Sequence, residues 1–143
     1  MAARTVLVVE DSDVESQMLE KGLRSSGSAR TVVCVNSTTA AEGYIFAGSD
    51  GGQGSVPDLV VLDVKVPPAG GLAFLKMLRS NERTRGVPVL MMSSEMRDQD
   101  VGDLYRSGAN SFLDKPVDGQ EFISLVTAAA NYWLTLNLSA GQS

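Results

Sequence analysis

Histidine is absent from these 143 residues, and cysteine occurs once. Without histidine, a Ser-His-Asp triad, a Cys-His pair and a histidine-based zinc site are all excluded. A single thiol, Cys34, cannot staple the fold, and its apolar setting predicts a small buried hydrophobe rather than a nucleophile. Positive charge is in the minority, with 12 Lys and Arg against 17 Asp and Glu and a net charge of −5. That balance argues against a nucleic-acid partner, because phosphate backbones are met with Lys and Arg. A long unbroken apolar run is also missing. The longest candidate, Phe122 to Leu138, is interrupted by Ser124, Asn131, Asn137 and two threonines. A spanning helix needs about 20 mostly apolar residues, so membrane insertion is not expected. A helix lying on the protein with some apolar surface left over is the better reading. The first strand begins so close to Met1 that no signal peptide fits before it, and a cytoplasmic protein is expected. The length suits a single domain over residues 1–143, large enough to bury a core.

What is present is an alternation of short apolar runs and longer helical stretches. Thr5 to Val9 is continuous and β-branched, as a strand buried on both faces should be. Ser12 opens a helix with Glu15 three residues on, the capping-box spacing. Val14, Met18 and Leu23 mark its expected buried stripe. Thr31 to Val35 reads as a second strand, followed by a helix over Thr38 to Ala47 with Ala41, Ile45 and Phe46 facing the core. A loop rich in glycine and serine, 49–55, follows. Leu59 to Leu62 is the third strand, and Gly71 to Arg79 a helix that offers Leu72, Leu75, Met77 and Leu78 for burial. Val87 to Met92 is the fourth strand. Asp98 to Ser107 is a short polar helix stopped by Gly108. Ser111 to Leu113 is a weak fifth strand, and Asp118 with Glu121 repeats the capping-box spacing before the last helix. Five strand-then-helix units predict an α/β fold, a parallel sheet with helices on both faces.

In open sheets of this kind the ligand site lies beyond the carboxyl ends of the strands. Glu10, Asp11, Asp63, Ser93 and Lys115 all fall there. Each alone has an ordinary explanation as a helix cap, a loop hydroxyl or an exposed turn. Together they form a chemically matched set. Clustered carboxylates repel one another, and a hard cation such as Mg²⁺ relieves the repulsion while keeping coordination positions for water and phosphate oxygens. A carboxylate beside such an ion can act as a nucleophile and form an aspartyl phosphate. The lysine and the hydroxyl are then placed to meet phosphoryl oxygens, in a reaction whose catalysis is mostly positioning and charge stabilisation.

With these residues in view, the chain resembles the receiver domain of two-component response regulators over nearly its whole length. Glu10-Asp11 resembles the acidic pair after the first strand, and Pro57 to Asp63 the strand that ends in the phosphoacceptor. Ser93 matches the switch hydroxyl, Phe112 the switch aromatic, and Lys115-Pro116 the lysine before a cis-prolyl bond. The resemblance implies a flavodoxin-like, doubly wound (βα)5 sheet with strand order 2-1-3-4-5. It implies that Asp63 accepts a phosphoryl group from a histidine kinase or phosphotransfer protein. Mg²⁺ would be held by Asp11, Asp63 and the backbone carbonyl of Lys65, with Glu10 orienting a water on the ion. Lys115 and Ser93 would bond phosphoryl oxygens, Phe112 would turn inward, and the surface of the fourth helix, fifth strand and fifth helix would change shape. Self-phosphorylation on Asp63 is implied, but no turnover of an external substrate.

The departures from the family pattern add expectations. Gly70 stands where an Asp often precedes the glycine matched by Gly71, so the third helix is expected to lack a side-chain cap, worth up to about 1 kcal/mol. Lys65 replaces what is often a smaller residue. With Glu95 it is expected to gate water at the phosphoryl group and set the lifetime of the phosphorylated state. No output domain is expected, as in single-domain regulators that signal by binding a partner. The glycine-rich loop and Tyr132-Trp133 resemble the type that partners bacterial phytochromes. Trp133, Leu134, Leu136 and Leu138 cannot share one helix face, which predicts a homodimer or docking surface at the C-terminal helix, or a tail folded back on its own core. Two other readings remain. One is a pseudo-receiver that binds partners without phosphate. The other is an aspartate-nucleophile phosphatase of the haloacid-dehalogenase type, against which stands Lys65 where a second acid is usual.

Overall fold

A computed structural model of the chain describes residues 4–47, 54–94 and 98–136. Its strands are β1 (Thr5–Val9), β2 (Thr31–Val35), β3 (Leu59–Asp63), β4 (Val89–Ser93) and β5 (Ser111–Asp114). Between and after them run α1 (Asp13–Ser25), α2 (Thr38–Glu42), α3 (Gly71–Ser80), α4 (Asp98–Arg106) and α5 (Gly119–Asn131). Two of the helices, α2 and α5, continue as π-helical turns over Gly43–Ala47 and Tyr132–Leu136. Every strand pairing is parallel, and the order is β2-β1-β3-β4-β5, the doubly wound arrangement expected from the sequence.

The strand composition explains the layers. Side chains alternate across a sheet, so a strand covered on both faces must be apolar at every position. Leu7, Val9, Val60, Leu62, Val89 and Met91 face one way, onto Ala41 and Ile45 beside Phe74, Leu75 and Leu78 of α3. Val6, Val8, Leu59, Val61, Leu90 and Met92 face the other way, onto Leu19 and Leu23 of α1 and Phe122, Val126 and Ala130 of α5. The chain leaves β1 toward β2 on one side and returns to β3 on the other. This reversal opens a crevice at the carboxyl ends of β1 and β3.

Helix starts follow the predicted caps. The Ser12 hydroxyl accepts from the Glu15 N–H, and the Asp118 carboxylate accepts from the Gln120 and Glu121 N–H groups. Two stripes differ from expectation. Val14 is 69% exposed and Leu19 is buried in its stead. Val14 belongs to the first turn of α1, whereas Leu19, Gly22 and Leu23 follow the helical repeat on the face that meets the sheet. In α3 the buried stripe is Gly71, Phe74, Leu75 and Leu78. Leu72 and Met77 lie half-buried on its flanks.

The C-terminal turn folds back in part. Leu134 is buried, and the half-buried Trp133 donates its indole N–H to the Ser111 hydroxyl at 2.7 Å. Leu136 remains 66% exposed; Leu138 lies outside the described residues. Among the described residues no helix is long and apolar enough to cross a membrane.

Candidate functional site

The sheet ladders carry the chemical groups to one edge. Glu10 follows β1 and continues its pairing, its N–H donating to the Val35 carbonyl. Asp63 closes β3, and the next N–H, that of Val64, donates to the Met92 carbonyl. Ser93 closes β4, and the Lys115 N–H donates to the Ser93 carbonyl at 2.9 Å. Backbone register therefore fixes where Glu10, Asp63, Ser93 and Lys115 emerge. All but the exposed Asp11 of the acidic set are buried, Glu10 to 2% and Asp63 to 7% exposure.

Lys115 is the hub. Its Nζ lies 2.9 Å from Glu10 Oε2, 3.0 Å from Glu15 Oε2 and 3.5 Å from Asp63 Oδ1, with the lysine side chain only 8% exposed. Sequence reading named Glu10, Asp11, Asp63, Ser93 and Lys115; the three acids cluster, Lys115 lies beside Glu10 and Asp63, and Ser93 ends the neighbouring strand. It left out Glu15, seen only as a cap. The available signal was position, since the first turn of a helix leaving a strand end stands over that same edge. The capping box is half made. Glu10 Oε1 accepts from the Ser12 N–H at 3.0 Å, the donor that Glu15 would otherwise satisfy.

One ligand atom from each of Glu10, Asp11 and Asp63 can be chosen so that all lie within 4.8 Å of one another. Three hard oxygen donors at this spacing fit a divalent cation such as Mg²⁺, and their mutual repulsion gives it a reason to bind. Burial pushes the Glu10 carboxyl up to about 7 from an ordinary 4.5, against the hydrogen bonds from Lys115 and Ser12. Burial raises Asp63 as well, opposed by the Lys115 ammonium and the Lys65 N–H. Lys115 is itself raised, because its bonds to Glu10 and Glu15 and the charge of Asp63 outweigh its burial.

These directions set a pH dependence for the metal-free protein. A carboxyl whose folded pKa lies above its unfolded one binds more protons when folded, so stability falls as pH rises between the two. For Glu10 that window runs from about 4.5 to about 7. The thermal midpoint in chelator is expected to fall across it, and Glu10→Gln to flatten the slope. A midpoint that rises over this window would contradict the assignment.

The backbone behind Asp63 is tight. A Cβ on Gly71 would meet the Asp63 carbonyl oxygen at 2.7 Å and the Val64 Cα at 2.9 Å, so the start of α3 can approach the acceptor strand only as glycine. Gly70 has φ +88° and gives α3 no side-chain cap, as the sequence predicted. Lys65 is exposed at the crevice, and its N–H bonds the Asp63 carboxylate. Its predicted counterpart Glu95 lies outside the described residues. Ser93 is buried at 2% exposure, and Phe112 is half-buried against the core two residues along the register. Cys34 is half-buried rather than buried, with its thiol toward Glu20 Oε1 at 3.7 Å. The bond before Pro116, expected cis, is trans, the isomer X–Pro bonds favour by about 0.5–1 kcal/mol; among the described residues the cis bond joins Pro67 and Pro68.

Comparison with known proteins agrees with this geometry. The response regulator receiver domain family matches residues 6–127. A probable methanogenesis regulatory protein, FilR2 of Methanothrix harundinacea, is 28% identical over 96% of this chain and 88% of its own length. The response regulator Rcp1 of Synechocystis is 23% identical over 96% of this chain and 94% of its own length. The crystal structure of the phosphorylated cyanobacterial phytochrome response regulator RcpA superposes with a TM-score of 0.89 at 22% identity, over 98% of this chain and 100% of that one. At that identity the superposition speaks for the fold.

Proposed function

The chain belongs to the response regulator receiver domain family, and from that premise we propose that Asp63 accepts a phosphoryl group from the phosphohistidine of a partner kinase or phosphotransfer protein. The observation that carries this reading is a buried carboxylate at a strand end, 3.5 Å from a buried ammonium and clustered with two further acids. In the step proposed, an Asp63 carboxylate oxygen forms a bond to phosphorus as the phosphorus–nitrogen bond of the donor breaks. The electron pair stays on the imidazole nitrogen, which takes up a proton, and nothing is oxidised.

Asp11, Asp63 and the backbone carbonyl of Lys65 would hold Mg²⁺, Glu10 would orient a water on it, and the ion would supply positive charge for the transferring oxygens. Lys115 meets one phosphoryl oxygen and Ser93 another. Phe112 stands two register positions from Ser93 on the neighbouring strand and is the aromatic that would follow its movement. Lys65, exposed at the mouth, together with Glu95 is proposed to control water at the phosphoryl group. RcpA is a phytochrome response regulator, and likeness to it supports a phytochrome-type histidine kinase as the donor. The exposed Leu136 and Tyr132 support a second copy of the chain as a further partner at the C-terminal turn. Receiver domains are signalling modules, and the output would be the altered surface.

Intact-mass analysis with acetyl phosphate and Mg²⁺ tests the chemistry. One phosphoryl adduct is expected on the wild type, and none on Asp63→Asn or in chelator. A wild type that stays unlabelled beside a labelled control receiver would sink the reading and leave a phosphate-independent interaction module.

A further inference from the structure

Glu15 presents its carboxylate to the catalytic lysine instead of to its own helix. As the third residue of a capped helix it has a ready partner in the Ser12 N–H. That donor is taken by Glu10, and Glu15 Oε2 sits 3.0 Å from Lys115 Nζ. The ammonium thus has three acidic neighbours, and Asp63 is the most distant of them at 3.5 Å. Glu10 is fixed by two bonds, one from Lys115 and one from Ser12. Glu15 differs: its side chain is one-third exposed, at 33%, and water can receive it when it lets go.

We propose that Glu15 is a positioning residue that parks Lys115 on the α1 side of the site and competes with the incoming phosphoryl group for the ammonium. This assignment rests on the phosphoacceptor role of Asp63. When the phosphoryl group arrives, the lysine shifts toward its oxygens and the Glu15 contact opens into solvent. While that contact holds, it keeps the lysine from the place where negative charge develops. Glu15 therefore slows phosphorylation, and a change of charge at this one position sets the rate without altering Asp63, Lys115 or the metal ligands.

The test compares wild type with Glu15→Gln by the intact-mass time course in acetyl phosphate and Mg²⁺, and repeats the exchange in a Lys115→Ala background. Gln keeps the size and the helix-cap competence of Glu. Glu15→Gln is expected to label about three- to tenfold faster, and in the Lys115→Ala background the exchange is expected to change nothing. Equal rates for wild type and Glu15→Gln would overturn the proposal while leaving Asp63 as acceptor. The same acceleration in both backgrounds would also overturn it, since the effect would not pass through Lys115. If the wild type takes no phosphoryl group at all, the receiver reading and this proposal fail together. Thermal midpoints measured in parallel show whether Glu15→Gln is folded under the assay conditions.

Discussion

Replacing Lys115 by alanine is expected to slow acetyl-phosphate labelling of Asp63 by about 100-fold, the scale on which loss of one charge-stabilising group acts in a transition state. Stability should fall too. The ammonium lies 2.9 Å from Glu10, whose side chain is 1% exposed, and 3.5 Å from Asp63. Removing one partner of a buried ion pair leaves an uncompensated charge, at a typical cost of 3–5 kcal/mol. Here the loss should be smaller, about 2–3 kcal/mol, because Glu10 is already inclined to take a proton. Saturating Mg²⁺ should return most of the stability by binding the folded state, but not the rate. Denaturant melts with and without the ion separate the two effects, and Lys115→Ala labelling at the wild-type rate would remove the lysine from the mechanism.

The second large effect lies at the opposite end of the sheet. Arg79, near the end of α3, spreads its guanidinium over five acceptors. Nε donates to the Gly108 carbonyl at 2.9 Å, and one Nη to the carbonyls of Thr84, Arg85 and Val87. The other Nη donates to Asn110 Oδ1, which also accepts from the Val89 N–H. One side chain thus ties the end of α3 to the entries of β4 and β5. Burial pulls the guanidinium below its usual pKa, yet Arg stays charged in proteins. Arg79→Ala leaves these carbonyls to share what water can reach them, at about 1–3 kcal/mol for each one left dry. The expected loss is about 3–4 kcal/mol, a fall in thermal midpoint of roughly 10 °C. Arg79→Lys should recover little of it, because a single ammonium cannot span the fork. Below its melting temperature Arg79→Ala should still label on Asp63 at the wild-type rate. A labelling defect as large as that of Lys115→Ala would mean that the sheet transmits strain from one end to the other.

The two sites were unequally visible in the sequence. Asp63 ends an apolar run that could only be a central strand, and Lys115 follows the weaker β5 at the side of the sheet; parallel strand-then-helix order brings both to the carboxyl ends of the strands. Helix starts were legible for a similar reason. Ser12 and Asp118 have local partners, and local hydrogen bonds depend on spacing alone. Glu15 and Arg79 were not legible, because their partners are distant in the chain, Lys115 in one case and Gly108 and Asn110 in the other. Nothing at position 79 distinguishes it from a solvated helix charge, and at position 15 only its place in the first turn after a strand end does. Phe74 and Leu19 were missed for a different cause. Several apolar residues in α1 and α3 compete for the buried stripe, and the tilt of the helix on the sheet decides among them.

The hydrogen bond between Trp133 and Ser111 gives the protein a built-in optical reporter. Trp133 is the one tryptophan of the chain, and its indole N–H is held by the residue immediately before Phe112 on β5. Its emission therefore comes from a single place, coupled through one bond to the strand that carries Phe112. Rearrangement there can be followed in real time on the unlabelled molecule, and the same signal tests whether a second chain covers the C-terminal turn.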